Sequence, residues 1–252
     1  MTLLVDAGNT FLKWARLEGD TVGRATTVVH HGVEPDEWQA ALGAIGRAPR
    51  RVIVANVAGS AFAGRLRDWA RATWHIEPEF PTASRSALGV TNAYPRPAAL
   101  GIDRWLGMLA AWHAARAPLL CASAGTAFTI DLIDAGGAHQ GGCIVPGARL
   151  MRESLNAQTS GVAAAAMLDP PATDGVFGIN TAGAVQQGAW LALAALADRT
   201  ARSLEASAGA AARVYLTGGA APQIAALMRR PVEQVPDLVL RGLALCLKER
   251  AL

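Results

Sequence analysis

The strongest constraint on this chain is a pattern that occurs twice. Leu3-Leu4-Val5 is a short apolar run that ends in Asp6-Ala7-Gly8-Asn9-Thr10, after which Phe11–Leu17 reads as extended again, with a polar residue at Lys13. Leu119–Ser123 is likewise an apolar run; it ends in Ser123-Ala124-Gly125-Thr126-Ala127, and the strand-like Phe128–Ile133 follows. Each copy leads into further strands and helices. In the first half, Pro35–Ile45 and Ser60–Thr73 have helical periodicity, Arg51–Ala55 is a buried-strand run, and Asp103–Ala115 is a helix that opens on an acid. In the second half, Val214–Thr217 and Leu238–Leu247 complete the set. The expectation is a duplicated α/β unit, with lobes at 1–116 and 117–252 and the two polar turns facing each other across a cleft, a geometry suited to gripping a polyphosphate. Pro78–Pro97 carries most of the turn formers of the middle region and reads as a loop leading to a site.

Composition agrees with a globular chain. Of 252 residues, 52% are hydrophobic, 17% charged and only 6% aromatic, so alanine supplies much of the apolar surface and the packing is of small residues. The net charge is +3, and all the basic residues but Lys13 and Lys248 are arginines. Arg47/Arg50/Arg51 and Arg65/Arg67/Arg71 are short groups that read as solvated helix faces rather than a nucleic-acid surface. Cys121, Cys143 and Cys246 lack CxxC spacing and read as buried, reduced thiols of a cytoplasmic protein. The N-terminus carries Asp6 and no basic region, so no secretory signal is expected. Val176–Ala197 lacks charges, yet Asn180, Thr181, Gln186 and Gln187 make it too weakly hydrophobic for a membrane span; a buried helix is expected there.

Several nucleotide-site chemistries are excluded by inspection. A P-loop needs Gly-Lys, and neither lysine follows a glycine. No two glycines are separated by a single residue, and GxSxG and HExxH are absent, which removes dinucleotide-binding, protein-kinase, serine-hydrolase and zincin signatures. The turn Asp6–Thr10 remains informative. Small residues allow close backbone approach, successive N–H groups in such a turn cradle phosphate oxygens, Asp6 offers a hard oxygen to Mg²⁺ directly or through water, and Lys13 offers a point charge. By itself the motif reads equally as a hairpin with an Asp/Asn turn. Thr217-Gly218-Gly219 is a second glycine turn that either approaches a nucleoside or ends a strand. At Gly101-Ile102-Asp103-Arg104-Trp105, an acid before a helix reads either as an N-cap or as the acceptor of a hydroxyl proton, with Arg104 pairing with an anion. Thr126, Asp131 and Thr181 are informative only as members of the set.

As a set, these residues resemble the type III pantothenate kinases, a branch of the acetate kinase, sugar kinase, Hsp70 and actin superfamily. The family's DxGNTxxK motif is met by Asp6-Ala7-Gly8-Asn9-Thr10-Phe11-Leu12-Lys13. Its central segment is met by Asn92-Ala93-Tyr94, Pro97 and Leu100-Gly101-Ile102-Asp103-Arg104-Trp105. Further matches are Gly125-Thr126-Ala127 with Thr129-Ile130-Asp131, Gly141-Gly142 through Pro146-Gly147, Thr181 with Gly188, and Thr217-Gly218-Gly219. The resemblance implies duplicated actin-like, ribonuclease H-like lobes with a nucleotide-binding cleft. It implies ATP-dependent phosphorylation of pantothenate to 4′-phosphopantothenate, the first step of coenzyme A synthesis, in a cytoplasmic homodimer that binds neither nucleic acid nor membrane. By the same resemblance Asp6, Ala7, Gly8, Asn9, Thr10, Phe11, Leu12, Lys13 and Thr126 bind ATP phosphates and Mg²⁺, and Asp103 is the general base. Tyr94, Gly101, Ile102, Asp103, Arg104 and Thr181 line the pantothenate site, Thr181 acting across the subunit interface, and a monovalent cation, NH₄⁺ or K⁺, is required.

Two positions depart from the family's pattern. Ser123 stands where the second phosphate motif opens with Asp, removing a carboxylate near the phosphates or the monovalent cation, and the expectation is that ammonium activates better than potassium. Ile179-Asn180 stands where Lys-Ser is usual ahead of Thr181. Two rival readings stay open on sequence alone. One is a kinase of the same superfamily acting on another small hydroxyl or carboxylate substrate, which the Tyr94–Trp105 segment disfavours. The other is a regulatory accessory factor for transcription, which lacks support from any helix-turn-helix signal or concentrated basic surface.

Overall fold

A computed structural model describes residues 1–30, 35–168 and 175–251. The chain divides into two units, residues 1–114 with 237–252, and residues 115–236.

The first unit is built on a sheet of β1 (Thr2–Ala7), β2 (Phe11–Glu18), β3 (Thr21–Val22), β4 (Thr26–Val29), α1 (Pro35–Gly43) and β5 (Arg51–Asn56), with the helix on its connecting path. β1 pairs antiparallel with β2 and parallel with β5, while β3 and β4 both pair with β2. Then come α2 (Ser60–Trp74), the two-residue strands β6 (Ser86–Ala87) and β7 (Val90–Thr91), and α3 (Ile102–Ala115). One face of the sheet buries Leu3, Val5, Ala7, Leu12 and Trp14 against Trp38 and Leu42 of α1 and Phe62, Leu66 and Ala70 of α2. Those α2 residues recur every four positions, one face of a helix, as expected for Ser60–Trp74.

The second unit repeats the plan. β8 (Leu119–Ala124), β9 (Ala127–Ile133) and β10 (His139–Pro146) form antiparallel pairs; α4 (Ala148–Gln158), α5 (Ser160–Leu168) and α6 (Thr181–Ala208) follow; then β11 (Arg213–Thr217), α7 (Ala221–Leu227) and β12 (Glu233–Gln234). β8 pairs antiparallel with β9 and parallel with β11, as β1 does with β2 and β5. β12 lies parallel beside β11, and its counterpart beside β5 is the single parallel bridge Ile53–Glu79. Both sheets therefore carry a polar turn between their first two strands, as the repeated pattern predicts.

α8 (Leu238–Lys248) departs from the expected boundary at 116/117. It belongs to the first unit, where it packs on β1 and α3. The close approach has a sequence cause: a side chain at Gly242 would come within 2.2 Å of the Leu106 carbonyl oxygen, and Leu238, Leu240, Leu243 and Cys246 line the buried face. Burial pushes the Cys246 thiol up to about 11. Cys121 is buried too, and Cys143 only partly.

Two other expectations are corrected. The uncharged stretch 176–197 is not one buried helix: α6 starts at Thr181, and Phe177 and Ile179 stand 75% and 67% exposed ahead of it. Asn180 sets that start by accepting a hydrogen bond from the Gly183 N–H at 2.8 Å, an N-cap. Arg47, Arg50 and Arg51 lie in the connection to β5 and at its first residue, not on a helix; Arg51 pairs with Glu79 at 2.9 Å. Arg67 and Arg71 of α2 do sit on a solvated face, where both bind Glu77. No described helix is long and apolar enough to cross a membrane.

Candidate active site

Strand register builds the first turn. It sets Asp6 opposite Lys13 and Ala7 opposite Leu12. Side chains alternate faces along a strand, so the carboxylate and the ammonium share one face while Ala7 and Leu12 share the other. Ala7 and Leu12 are fully buried in the core and offer a ligand only backbone, whereas Asn9 and Phe11 are exposed. The turn is anchored from behind: the Gly8 N–H donates to the Phe11 carbonyl at 3.0 Å, and the Ala7 carbonyl accepts from the Val57 N–H at 2.9 Å.

Asp6 is the electrostatic focus of this unit. Burial pushes its carboxyl up to about 7; the Lys13 charge pulls it down, and the Asp103 charge pushes it up again. Asp103, carried by a helix far along the chain, thus lies within electrostatic reach of the turn. Two carboxylates beside one ammonium leave this patch rich in hard oxygen donors. Mg²⁺ characteristically takes one or two carboxylates together with phosphate oxygens and water, so the residues present fit that ion. Among the described residues no group of three or more His, Cys, Asp or Glu forms a cage that would hold a metal without a phosphate.

The second part of this patch is the start of α3. Asp103 sits inside the first turn, one residue past the helix start, so it is not the N-cap that an acid before a helix suggests. Gly101 keeps it in place: a side chain there would come within 2.7 Å of Asp103 Oδ1. Ile102 is buried in the core, and Arg104 is only 9% exposed. The Arg104 guanidinium donates to the Tyr94 hydroxyl at 3.1 Å and lies 5.8 Å from the centre of that ring. Tyr94 is held in turn by the Pro-rich loop. Arg85 donates to the carbonyls of Asn92, Tyr94 and Pro95 at 3.0, 2.9 and 2.8 Å. The buried Asn92 side chain accepts from the Tyr94 N–H at 3.0 Å and donates to the Ser84 carbonyl at 3.2 Å. Arg85 escapes sequence reasoning because its partners are all backbone carbonyls, which leave no pattern of side chains to detect.

In the second unit, Thr126 lies in the β8–β9 turn, where the Gly125 N–H donates to the Ala127 carbonyl at 3.1 Å and the Gly147 N–H donates to the Thr126 carbonyl at 2.9 Å. Gly218, with φ +95°, presses on the same turn: a Cβ there would sit 2.5 Å from the Ala124 carbonyl oxygen. Ser123, the penultimate residue of β8, lies between Thr129 and Thr217. Thr181 is exposed at the first position of α6. Asp131 is taken up by structure, its carboxylate 3.0 Å from Nε2 of the fully buried His139.

His30 is the residue that the sequence does not single out. It ends the described stretch after β4, its ring nitrogen Nε2 lies 2.6 Å from the Gly8 carbonyl oxygen, and its own N–H donates to the Thr10 carbonyl at 3.0 Å. A histidine after a strand carries no motif; the pairing of β4 with β2 brings it to the turn.

Comparison with known proteins identifies relatives of this chain. The sequence profile of the type III pantothenate kinase family matches residues 2–203. A type III pantothenate kinase of Nitrosococcus oceani is 36% identical, with 99% of this chain and 94% of that protein aligned. One of Aromatoleum aromaticum is 38% identical, with 100% and 99% aligned. Among solved structures, a 2-dehydro-3-deoxygalactonokinase protein of Sinorhizobium meliloti superposes with a TM-score of 0.59 at 16% identity, covering 100% of this chain and 99% of that one, a likeness of fold. The two units are accordingly the duplicated α/β lobes of the actin-like and sugar-kinase fold.

Proposed function

The chain belongs to the type III pantothenate kinases, and from that premise we propose that it transfers the γ-phosphoryl group of ATP to the primary hydroxyl of pantothenate, with Asp103 as general base. The observation that carries the assignment of roles is that, in one unit, Lys13 and Asp103 both lie within electrostatic reach of Asp6, and Arg104, next to Asp103 in sequence, pairs with Tyr94. The Asp6–Thr10 turn and Lys13 hold the phosphates, and Thr126 supplies a second phosphate contact. Asp6 would hold Mg²⁺ directly or through water, and the ion would supply neutralisation of phosphate charge. Arg104 receives the pantothenate carboxylate, and Tyr94, Gly101 and Ile102 shape its surroundings; Thr181 contributes from the partner protomer of a homodimer. The Asp103 carboxylate takes the hydroxyl proton as that oxygen bonds to the γ-phosphorus and the bond to the β,γ-bridging oxygen breaks, leaving 4′-phosphopantothenate and ADP. Phosphoryl transfer spreads charge loosely over its oxygens, so the protein's task is positioning and charge neutralisation. The reaction opens coenzyme A synthesis in the cytoplasm and needs NH₄⁺ or K⁺.

The test is direct measurement of 4′-phosphopantothenate from Mg-ATP and pantothenate in ammonium, potassium and sodium buffers. Product that requires a monovalent activator is expected. Asp103→Asn should lower turnover by about 10²-fold or more, the usual range for loss of a general base. Near-normal turnover in that variant would reduce Asp103 to a structural residue, and no product from folded, ATP-binding wild type would move the assignment to another acceptor.

A further inference from the structure

The described residues hold one polar device behind the phosphate turn that the family motifs do not include. A turn that faces a polyanion must present N–H groups and keep its carbonyl oxygens away, because carbonyl lone pairs repel phosphate oxygens. In the Asp6–Lys13 segment that separation is built with three anchors. The Ala7 carbonyl accepts from Val57, the Thr10 carbonyl accepts from the backbone N–H of His30, and the Gly8 carbonyl faces His30 Nε2 at 2.6 Å. A carbonyl only accepts, so Nε2 carries the proton and donates. No peptide bond among the described residues is cis, and in a trans peptide the C=O and the next N–H point in opposite directions. Fixing the Gly8 carbonyl toward His30 therefore turns the Asn9 N–H to the opposite side, away from β4.

The imidazole is itself fixed. Antiparallel pairing of Phe11 with Val29 puts residue 30 beside Thr10. The ring then packs on Phe62 of α2, centroids 4.5 Å apart at 49°, and Phe62 is 2% exposed in the core. His30 is 8% exposed, so its hydrogen bond to Gly8 is made largely out of water, where such a bond is hard to replace.

We infer that His30 is a positioning residue for nucleotide: its Nε2–H sets the orientation of the Gly8–Asn9 peptide so that the Asn9 N–H meets a phosphate oxygen of ATP. This rests on the reading of Asp6–Lys13 as the phosphate turn. The role belongs to the hydrogen bond and not to the bulk of the ring, which two variants separate. His30→Phe keeps an aromatic ring for Phe62 and removes the donor; His30→Gln returns an N–H at similar reach.

The experiment measures KM for Mg-ATP, KM for pantothenate and kcat in both variants, with binding of a non-hydrolysable ATP analogue by calorimetry and the melting temperature as a control on folding. His30→Phe should raise KM and Kd for nucleotide by about tenfold, the size of one buried hydrogen bond, and leave KM for pantothenate within about twofold. His30→Gln should recover most of the loss. A folded His30→Phe protein with wild-type nucleotide affinity overturns the inference, as does an equal shift for both substrates or a Gln variant no better than Phe. If His30→Phe does not fold, the Gln variant decides alone against His30→Ala. Wild type that binds nucleotide but does not phosphorylate pantothenate overturns the acceptor assignment and leaves this inference to the binding data; wild type that binds no nucleotide overturns both.

Discussion

The two β-turn-β units share a plan and divide the work. In the first, the residue before Ala7-Gly8 is Asp6, a lysine stands across from it, and Asp103 acts on it from α3. In the second, the residue before Ala124-Gly125 is Ser123, its neighbours across the strands are Thr129 and Thr217, and Gly147 and Gly218 close on the backbone of the turn. The first turn is an electrostatic device and the second a steric one. The lesson is that a duplicated frame leaves each copy free to specialise: the sheet register places the same atoms at both turns, and single residues decide whether charge or close backbone approach is offered.

Substitutions at matched positions break or sharpen that contrast. The largest effect is expected where charge is concentrated. Asp6→Asn should abolish most turnover, yet stabilise the nucleotide-free protein at high pH. The folded carboxyl titrates near 7 against 3.8 for an ordinary one, so its destabilising cost is absent below about pH 4, grows between, and is complete above about pH 7. The variant should therefore melt above wild type at pH 8, with the gap closing toward pH 4; melting curves across that range check it, and a gap that widens on acidification would contradict the assignment. In wild type the same protonation should raise KM for Mg-ATP as pH falls through 7.

Next comes the steric copy. Gly218→Ala places a Cβ against the Ala124 backbone at a positive φ, which should cost about 2–4 kcal/mol of stability, read by denaturant unfolding. A cost below about 0.5 kcal/mol would mean that the second turn is not tightly gripped. A smaller effect is expected where the copies differ by one residue. With a neutral Ser123, ammonium should activate better than potassium, and Ser123→Asp should raise the potassium-supported rate toward the ammonium rate; equal activation of the wild type by both ions removes the basis for this. The smallest test is Asn180→Ala, which removes the α6 cap and should cost about 1 kcal/mol, with turnover reduced only so far as Thr181 loses its place.

Much of this molecule follows from local pattern. Apolar runs closed by Gly, Asn and Thr mark β1 and β2, β8 and β9, because a strand buried on a face needs contiguous or alternating apolar residues and a turn needs small or polar ones. The helix that carries Asp103 declares itself by its apolar density, and Asp6 and Lys13 by a motif whose spacing matches one strand crossing. These are short-range properties, and each is written within a few consecutive residues.

The rest depends on residues far apart in the chain. α8 returns to the first unit because Gly242 fits against Leu106, a match of shape that no periodicity records. Val176, Phe177 and Ile179 read as core from their side chains but stand exposed, since the Asn180 cap starts the helix after them. Arg85 and His30 bind backbone carbonyls, and every residue has one of those, so nothing in composition or spacing marks which carbonyl will be met. Sequence alone thus determined the elements, the charged motif and the family. Tertiary structure decided which unit the last helix joins, how far Asp103 acts on Asp6, and what orients the Gly8–Asn9 peptide, because burial, electrostatic reach and hydrogen-bond direction are set by distances that exist only once the chain is packed.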